Sequence, residues 1–194
     1  MTWWFLARAA GFTALIGATL TICLGAWASS SQRDGRVLRQ LAHRSAAVVT
    51  LALLALHAGL LIADSHVAIS VPGALVPFTA GYRGITVGLG TIAAYCLVVV
   101  SLTGAFRGRL ATSARAARWW RPVHALAYAA WPLCIAHGLF SGTDTGTRWA
   151  LALYGASTAA VLVAVWTRIT AEEEHAATPL ASARQRLEEA GKAS

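Results

Sequence analysis

Acidic side chains are scarce in this 194-residue sequence: eight Asp and Glu stand against sixteen Lys and Arg, for a formal charge of +8. None of the eight lies in the interior of a long apolar run. A carboxylate dyad is therefore missing, and a proton relay through a membrane has no acidic partners at depth. Cysteine is thin as well. Cys23, Cys96 and Cys134 all sit inside apolar runs, with no CxxC or CxxCH, which excludes a disulfide framework and a covalently attached haem. There is no phosphate-binding glycine loop and no nucleophile with a paired base, so hydrolysis and group transfer have no footing. Charged residues make up only 12% of the chain, hydrophobic ones 57%, and the mean hydropathy is +0.57. Those values lie outside the range of a soluble domain of this size and describe a membrane protein in contact with lipid. Fifteen of the sixteen basic residues are Arg, clustered in short stretches between apolar runs. That spacing marks loops at a membrane and argues against a nucleic-acid partner.

A helix needs about 20 apolar residues to cross a bilayer, and five segments qualify: residues 9–28, 43–63, 84–106, 122–140 and 149–168. The expected fold is an all-α bundle of five transmembrane helices. A membrane domain spans 1–168, with a first helix at 9–28 and a core at 38–168, and a polar tail covers 169–194. The first connection carries Arg33, Arg36 and Arg39, and the third carries Arg107, Arg109, Arg115, Arg118 and Arg121, while the other two hold Arg83 and Arg148. The positive-inside rule places the first and third connections and the tail in the cytoplasm and the N-terminus outside. This is the topology of a multi-pass protein of the plasma membrane. Trp3, Trp4, Trp27, Trp119, Trp120, Trp149 and Trp166 fall at the expected interfaces, and Trp131 falls mid-membrane. A lone Arg8 near the start of the first segment can snorkel to the interface. Ala26-Trp27-Ala28 resembles a signal-peptide cleavage site, but cleavage there would leave the basic connection outside. The stretch from Ser65 to Gly84, with Pro72 and Pro77, reads as an external excursion lying against the membrane.

Four of the six histidines lie inside these segments, where an ionisable residue is costly and signals function. His43 and His57 are 14 residues apart, so they share one helix face and are separated by ~21 Å of rise. His124 and His137 lie on the fourth segment, which runs parallel to the second. His43 then meets His124 near the cytoplasmic face, and His57 meets His137 near the outer face. Opposed imidazoles from two helices suit the axial positions of a haem iron, whereas zinc would want three or four converging ligands. The expected cofactors are two b-type haems stacked across the bilayer. One detail fits poorly: 13 residues leave His124 and His137 about 140° out of phase on an ideal helix, and Pro132 between them is the feature able to disturb the ladder.

His43-x13-His57 followed by His124-x12-His137 resembles the ferric reductase-like transmembrane domain. That domain is shared by ferric reductases, NADPH oxidases and a bacterial haem subunit serving a periplasmic methionine sulfoxide reductase. The stretches Val76-Pro77-Phe78 to Gly81-Tyr82-Arg83, and Arg121-Pro122-Val123-His124 to His137-Gly138, are also similar to that family, over roughly residues 38–168. The resemblance implies that His43 and His124 bind an inner haem and His57 and His137 an outer one, with bound flavin mononucleotide as a further option at the cytoplasmic face. The flavin and nicotinamide domain of the larger members has no counterpart here, and five spans replace six.

Secondary features carry less. Arg44 and Arg121 flank the inner pair and Arg83 approaches the outer one, as haem-propionate partners or equally as topology anchors. Trp131 is a bridge between the haems or simple packing, and Gly59, Gly104 and Gly138 are candidates for close approach to a macrocycle. Asp64, His66 and Asp144 form an outer-side site or are ordinary loop residues. The sequence reads as a di-haem cytochrome b, the transmembrane component of an oxidoreductase. Its donor is a cytoplasmic flavoprotein reductase or a quinol, and its outer-side acceptor is ferric iron, dioxygen or a partner reductase. The alternatives are a haem-binding membrane anchor or sensor, and a histidine proton relay.

Overall fold

The computed structural model describes the backbone at residues 2–30, 33–67, 69–110, 112 and 114–192, and it describes no side chain beyond residue 171 or at 2, 29–34, 36, 110, 114, 116 and 117. Among the described residues every regular element is helical: α1 (Thr2–Ser30), α2 (Arg33–Ala63), α3 (Val71–Leu75), α4 (Gly84–Ala105), α5 (Arg107–Leu110), α6 (Ala114–Ser141) and α7 (Arg148–Lys192). Five are long and apolar enough to cross a membrane, over Trp3–Ala28, Val37–Ala63, Gly84–Ala105, Arg118–Ser141 and Arg148–Ala171. These match the five expected segments, extended at most ends by interfacial Trp and Arg that do not interrupt the helical hydrogen bonding. The polar tail continues α7 as helical backbone through Lys192.

Two antiparallel hairpins organise the bundle. α1 packs along α2, and α4 packs along α6, with α1 also touching α6 and α7. α2 and α6 have no comparable packing among the described residues, so a gap runs between the two helices that carry the histidines. α1 is the central strut. Ala18, Ile22, Cys23 and Ala26 on one of its faces bury against Trp131 of α6 and Val161 and Ala164 of α7. The small side chains let three backbones approach, which is the main source of helix association in lipid. Trp131 is therefore a packing residue: it faces α1 and α7, and its Nε1 donates to Thr19 Oγ1 at 3.1 Å.

The connection between α2 and α4 folds back over one end of the bundle. Asp64 is buried and accepts the backbone N–H groups of His66 at 2.8 Å and Val67 at 3.2 Å, which closes the turn after α2. Ser70 caps α3 by accepting from Gly73 N, and Thr91 of α4 donates to the Ala74 carbonyl at 3.0 Å. Ile69, Ala80 and Val87 then bury together. Val76-Pro77-Phe78 to Gly81-Tyr82-Arg83 forms the turn into α4. Phe78 and Arg83 both take left-handed backbone angles (φ 70° and 42°), and Phe78 sits against Gly88, where a side chain would collide with it.

Candidate functional site

The fold brings the four membrane histidines into two pairs. His43 and His124 have ring centroids 6.2 Å apart with planes at 68°. His57 and His137 have centroids 6.3 Å apart with planes at 79°. Both pairs lie across the gap between α2 and α6, so the two helices run parallel as their spacing requires. His124 and His137 both reach their partners despite the expected phase error. The helix that carries them is continuous through Pro122 and Pro132, and Pro132 leaves the carbonyl of Tyr128 without its helical donor.

Each ring is held from behind by a glycine on the other helix of its own hairpin. A Cβ built on Gly11 would lie 2.9 Å from His57 Nδ1, one on Gly25 would lie 3.1 Å from His43 Nδ1, and one on Gly90 would lie 2.7 Å from His137 Nδ1. On Gly104 it would lie 3.3 Å from His124 Cε1. At Gly11 and Gly90 a side chain would force the imidazole to move, and at Gly25 and Gly104 the ring would have to give by a few tenths of an ångström. In three of the four cases Nδ1 meets the carbonyl four residues before that glycine: His57 to Ala7 at 2.7 Å, His43 to Thr21 at 2.8 Å and His137 to Thr86 at 2.8 Å. A carbonyl only accepts, so Nδ1 carries the proton and Nε2 keeps its lone pair. Two imidazoles ligating one metal ion from opposite sides at about 2.0–2.1 Å put their centroids about 6.3 Å apart. That is the separation of both pairs.

The glycines have a pattern that the histidines alone did not reveal. Gly11 and Gly25 are spaced as His43 and His57 are, and Gly90 and Gly104 repeat the same interval. The step from Gly11 to Gly90 equals the step from Gly25 to Gly104, and the steps from His43 to His124 and from His57 to His137 are only one or two residues longer. The two hairpins are thus equivalent halves, and α1 belongs to the site, which extends it beyond the 38–168 core. A removable signal segment would take two of the four glycine cradles with it. Of the glycines singled out from sequence, Gly104 lies against His124, Gly138 against Tyr154, and Gly59 against open space.

A mainly apolar cavity adjoins the His57/His137 pair. It is bounded by Gly11, Leu54 and Gly90 and roofed by Val67, Ile69 and Tyr82 from the folded-back connection. At its rim Arg8 donates from Nε to Asp144 at 2.6 Å and pairs with it through a second nitrogen. Trp4 sits edge-on to His66 and Tyr82, each at 6.5 Å. Asp64 and Asp144 are thus engaged in a turn and in an ion pair. Among the described residues no three His, Cys, Asp or Glu converge as a metal group, so these two and His66 make no separate metal site. Arg83 donates to the Phe140 carbonyl, and Arg44 and Arg121, adjacent in sequence to His43 and close before His124, are both exposed. The sequence places Arg8 only at the interface, because its partner Asp144 lies far along the chain in the last connection. Compared with family models, curated proteins and solved structures, the chain gives no match.

Proposed function

We propose that this chain is a di-haem b-type membrane cytochrome, similar to the ferric reductase-like transmembrane domain. It would move electrons across the plasma membrane from a cytoplasmic donor or quinol to an acceptor outside. The observation that carries the reading is the two imidazole pairs at ligating separation across an unpacked gap, each ring backed by a glycine. A proton relay or simple interhelical contact would not need the rings spaced for a metal ion, nor glycine at four matched positions.

In this reading His43 and His124 hold the inner haem and His57 and His137 the outer one. When bound, haem supplies a one-electron iron couple at each level, with the levels ~20 Å apart along the helices. The chain's own residues do the rest. Nδ1–H bonds to Ala7, Thr21 and Thr86 fix tautomer and ring orientation and strengthen Nε2 as a donor. The connection over the cavity beside His57 and His137 lines it with apolar Val67 and Ile69, which disfavours water at that site. Arg44, Arg121 and Arg83 remain candidate partners for propionate carboxylates, Arg107 stands beside them near His124, and Arg8 joins at the rim of the His57/His137 cavity.

The test is the haem content of the purified full chain. Two non-covalent haems per chain, extractable into acidified acetone and low-spin in both oxidation states, are the expected result. A chain that holds none after expression with ample haem would overturn the reading. NADPH alone should leave the haems oxidised, and a flavoprotein or quinol should be needed to reduce them.

A further inference from the structure

Three of the four imidazoles are held by one device, and the fourth is not. His124 Nδ1 is buried and makes no hydrogen bond. The Val100 carbonyl, four residues before Gly104, stands on that side of the ring without reaching hydrogen-bond geometry. A different support is in place. Trp120, four residues earlier on α6, lies stacked on the His124 ring, with centroids 4.9 Å apart and planes at 19°.

Trp120 is itself fixed from two sides. Its Nε1 donates to the Thr103 carbonyl at 3.2 Å, and the Arg107 guanidinium carbon lies 4.6 Å from its ring centroid. The end of α4 and the start of α5 thus form a bracket that presses an aromatic plate against this one histidine. An aromatic four residues from a histidine on a helix will often touch it. Chance contact does not account for the stacked histidine being the one without a carbonyl bond, nor for a cation over the stacking ring.

We propose that Trp120 is the positioning residue of the inner imidazole. It sets the plane of His124 by stacking where the other three rings use a hydrogen bond, and with Arg107 it makes the His43/His124 site electronically unlike the His57/His137 site. The proposal rests on the di-haem reading above. A carbonyl accepting from Nδ1–H pushes electron density toward Nε2 and favours the oxidised metal. The push on His124 is weaker, because the Val100 carbonyl faces its ring without closing a hydrogen bond, and the guanidinium beyond Trp120 adds positive charge on the same side. Both effects favour the reduced state at the inner level, so the inner couple lies higher than a pair with both Nδ1 bonds would set it.

The test uses the full chain carrying its haems, with a redox titration and low-temperature electron paramagnetic resonance on the parent, Trp120→Leu, Trp120→Phe and Arg107→Gln. The inner couple is identified as the one absent in His43→Leu. Trp120→Leu should move the midpoint and the ferric low-spin signal of the inner haem and leave the outer haem at its parent values. Trp120→Phe, which keeps a flat ring, should return both toward the parent. Arg107→Gln should lower the inner midpoint alone. An inner midpoint and signal unchanged in Trp120→Leu, or Phe and Leu variants that behave alike, would overturn the proposal. If Trp120→Leu does not accumulate, an unmoved inner midpoint in Arg107→Gln overturns it. A parent with no haem overturns the di-haem reading and this proposal with it, a result distinct from a two-haem parent whose inner couple ignores Trp120.

Discussion

Gly90 of α4 packs directly against the imidazole of His137, where a Cβ on Gly90 would stand 2.7 Å from Nδ1 and 2.8 Å from Cγ. The ring cannot retreat without breaking its bond to the Thr86 carbonyl, and it cannot advance without closing on His57. Gly90→Ala is therefore expected to displace the ring. The lost hydrogen bond costs about 1 kcal/mol and the overpacking about 1–3 kcal/mol. The outer haem should be weakened or lost while the inner one stays. Gly59→Ala is the control, because open space surrounds Gly59 and alanine is the better helix former by about 1 kcal/mol. Haem content and thermal unfolding of the two variants check this, and equal behaviour would remove the cradle argument.

Removal of one histidine should separate the levels. His57→Leu or His137→Leu deletes a ligand of the proposed outer haem, while the His43/His124 pair lies ~20 Å away along the same helices. Leucine suits a membrane helix, so the expected product is a folded chain with one haem. In sealed vesicles of known orientation that haem should accept electrons from the cytoplasmic side and fail to pass them to an impermeant outer acceptor. His43→Leu and His124→Leu should show the reverse. An outer-pair variant that reduced the external acceptor at the parent's rate would disprove a serial path.

The ring planes make a spectroscopic prediction. The imidazole planes of the two pairs stand at 68° and 79° to each other, and rings so crossed would, on one bound iron, interact with different d orbitals and leave them nearly degenerate. Both ferric haems should therefore give strongly anisotropic low-spin signals. Two rhombic signals of the kind produced by parallel imidazoles would show that the rings turn when the site is filled.

Much of this is legible from residue spacing. Apolar runs of the length of a bilayer locate the five spans, and the interval between His43 and His57, close to a whole number of turns, places both on one face. The parallel run of α2 and α6 follows from counting spans. The phase of His124 and His137 is not legible, because an ideal-helix calculation takes no account of Pro132 or of the reach of a side chain. Gly11, Gly25 and Gly90 do not stand out, because glycine is common wherever membrane helices touch. The available signal is the interval from Gly11 to Gly25, which recurs from Gly90 to Gly104 and matches that of the histidines. Trp120 reads as an interface anchor, which its position in the sequence explains fully. Its stacking on His124 depends on how α4, α5 and α6 come together.

The same holds for Arg8 and Asp144, whose contact ties the start of α1 to the connection between α6 and α7. Their side chains are 24% and 14% exposed, so the pair is partly screened and worth less than a fully buried one. Arg8→Gln or Asp144→Asn leaves one charged partner at the rim of the cavity beside His57 and His137 without its counter-ion, and should cost about 1–2 kcal/mol. The double variant Arg8→Gln/Asp144→Asn should cost less than the two single effects added together, since neither charge is then stranded. Thermal unfolding in detergent gives the stability side of this cycle. The retention of the outer haem gives the functional side. If Arg8 also serves an outer propionate, Arg8→Gln should release that haem more readily than Asp144→Asn does. Equal retention in the two would confine Arg8 to the ion pair.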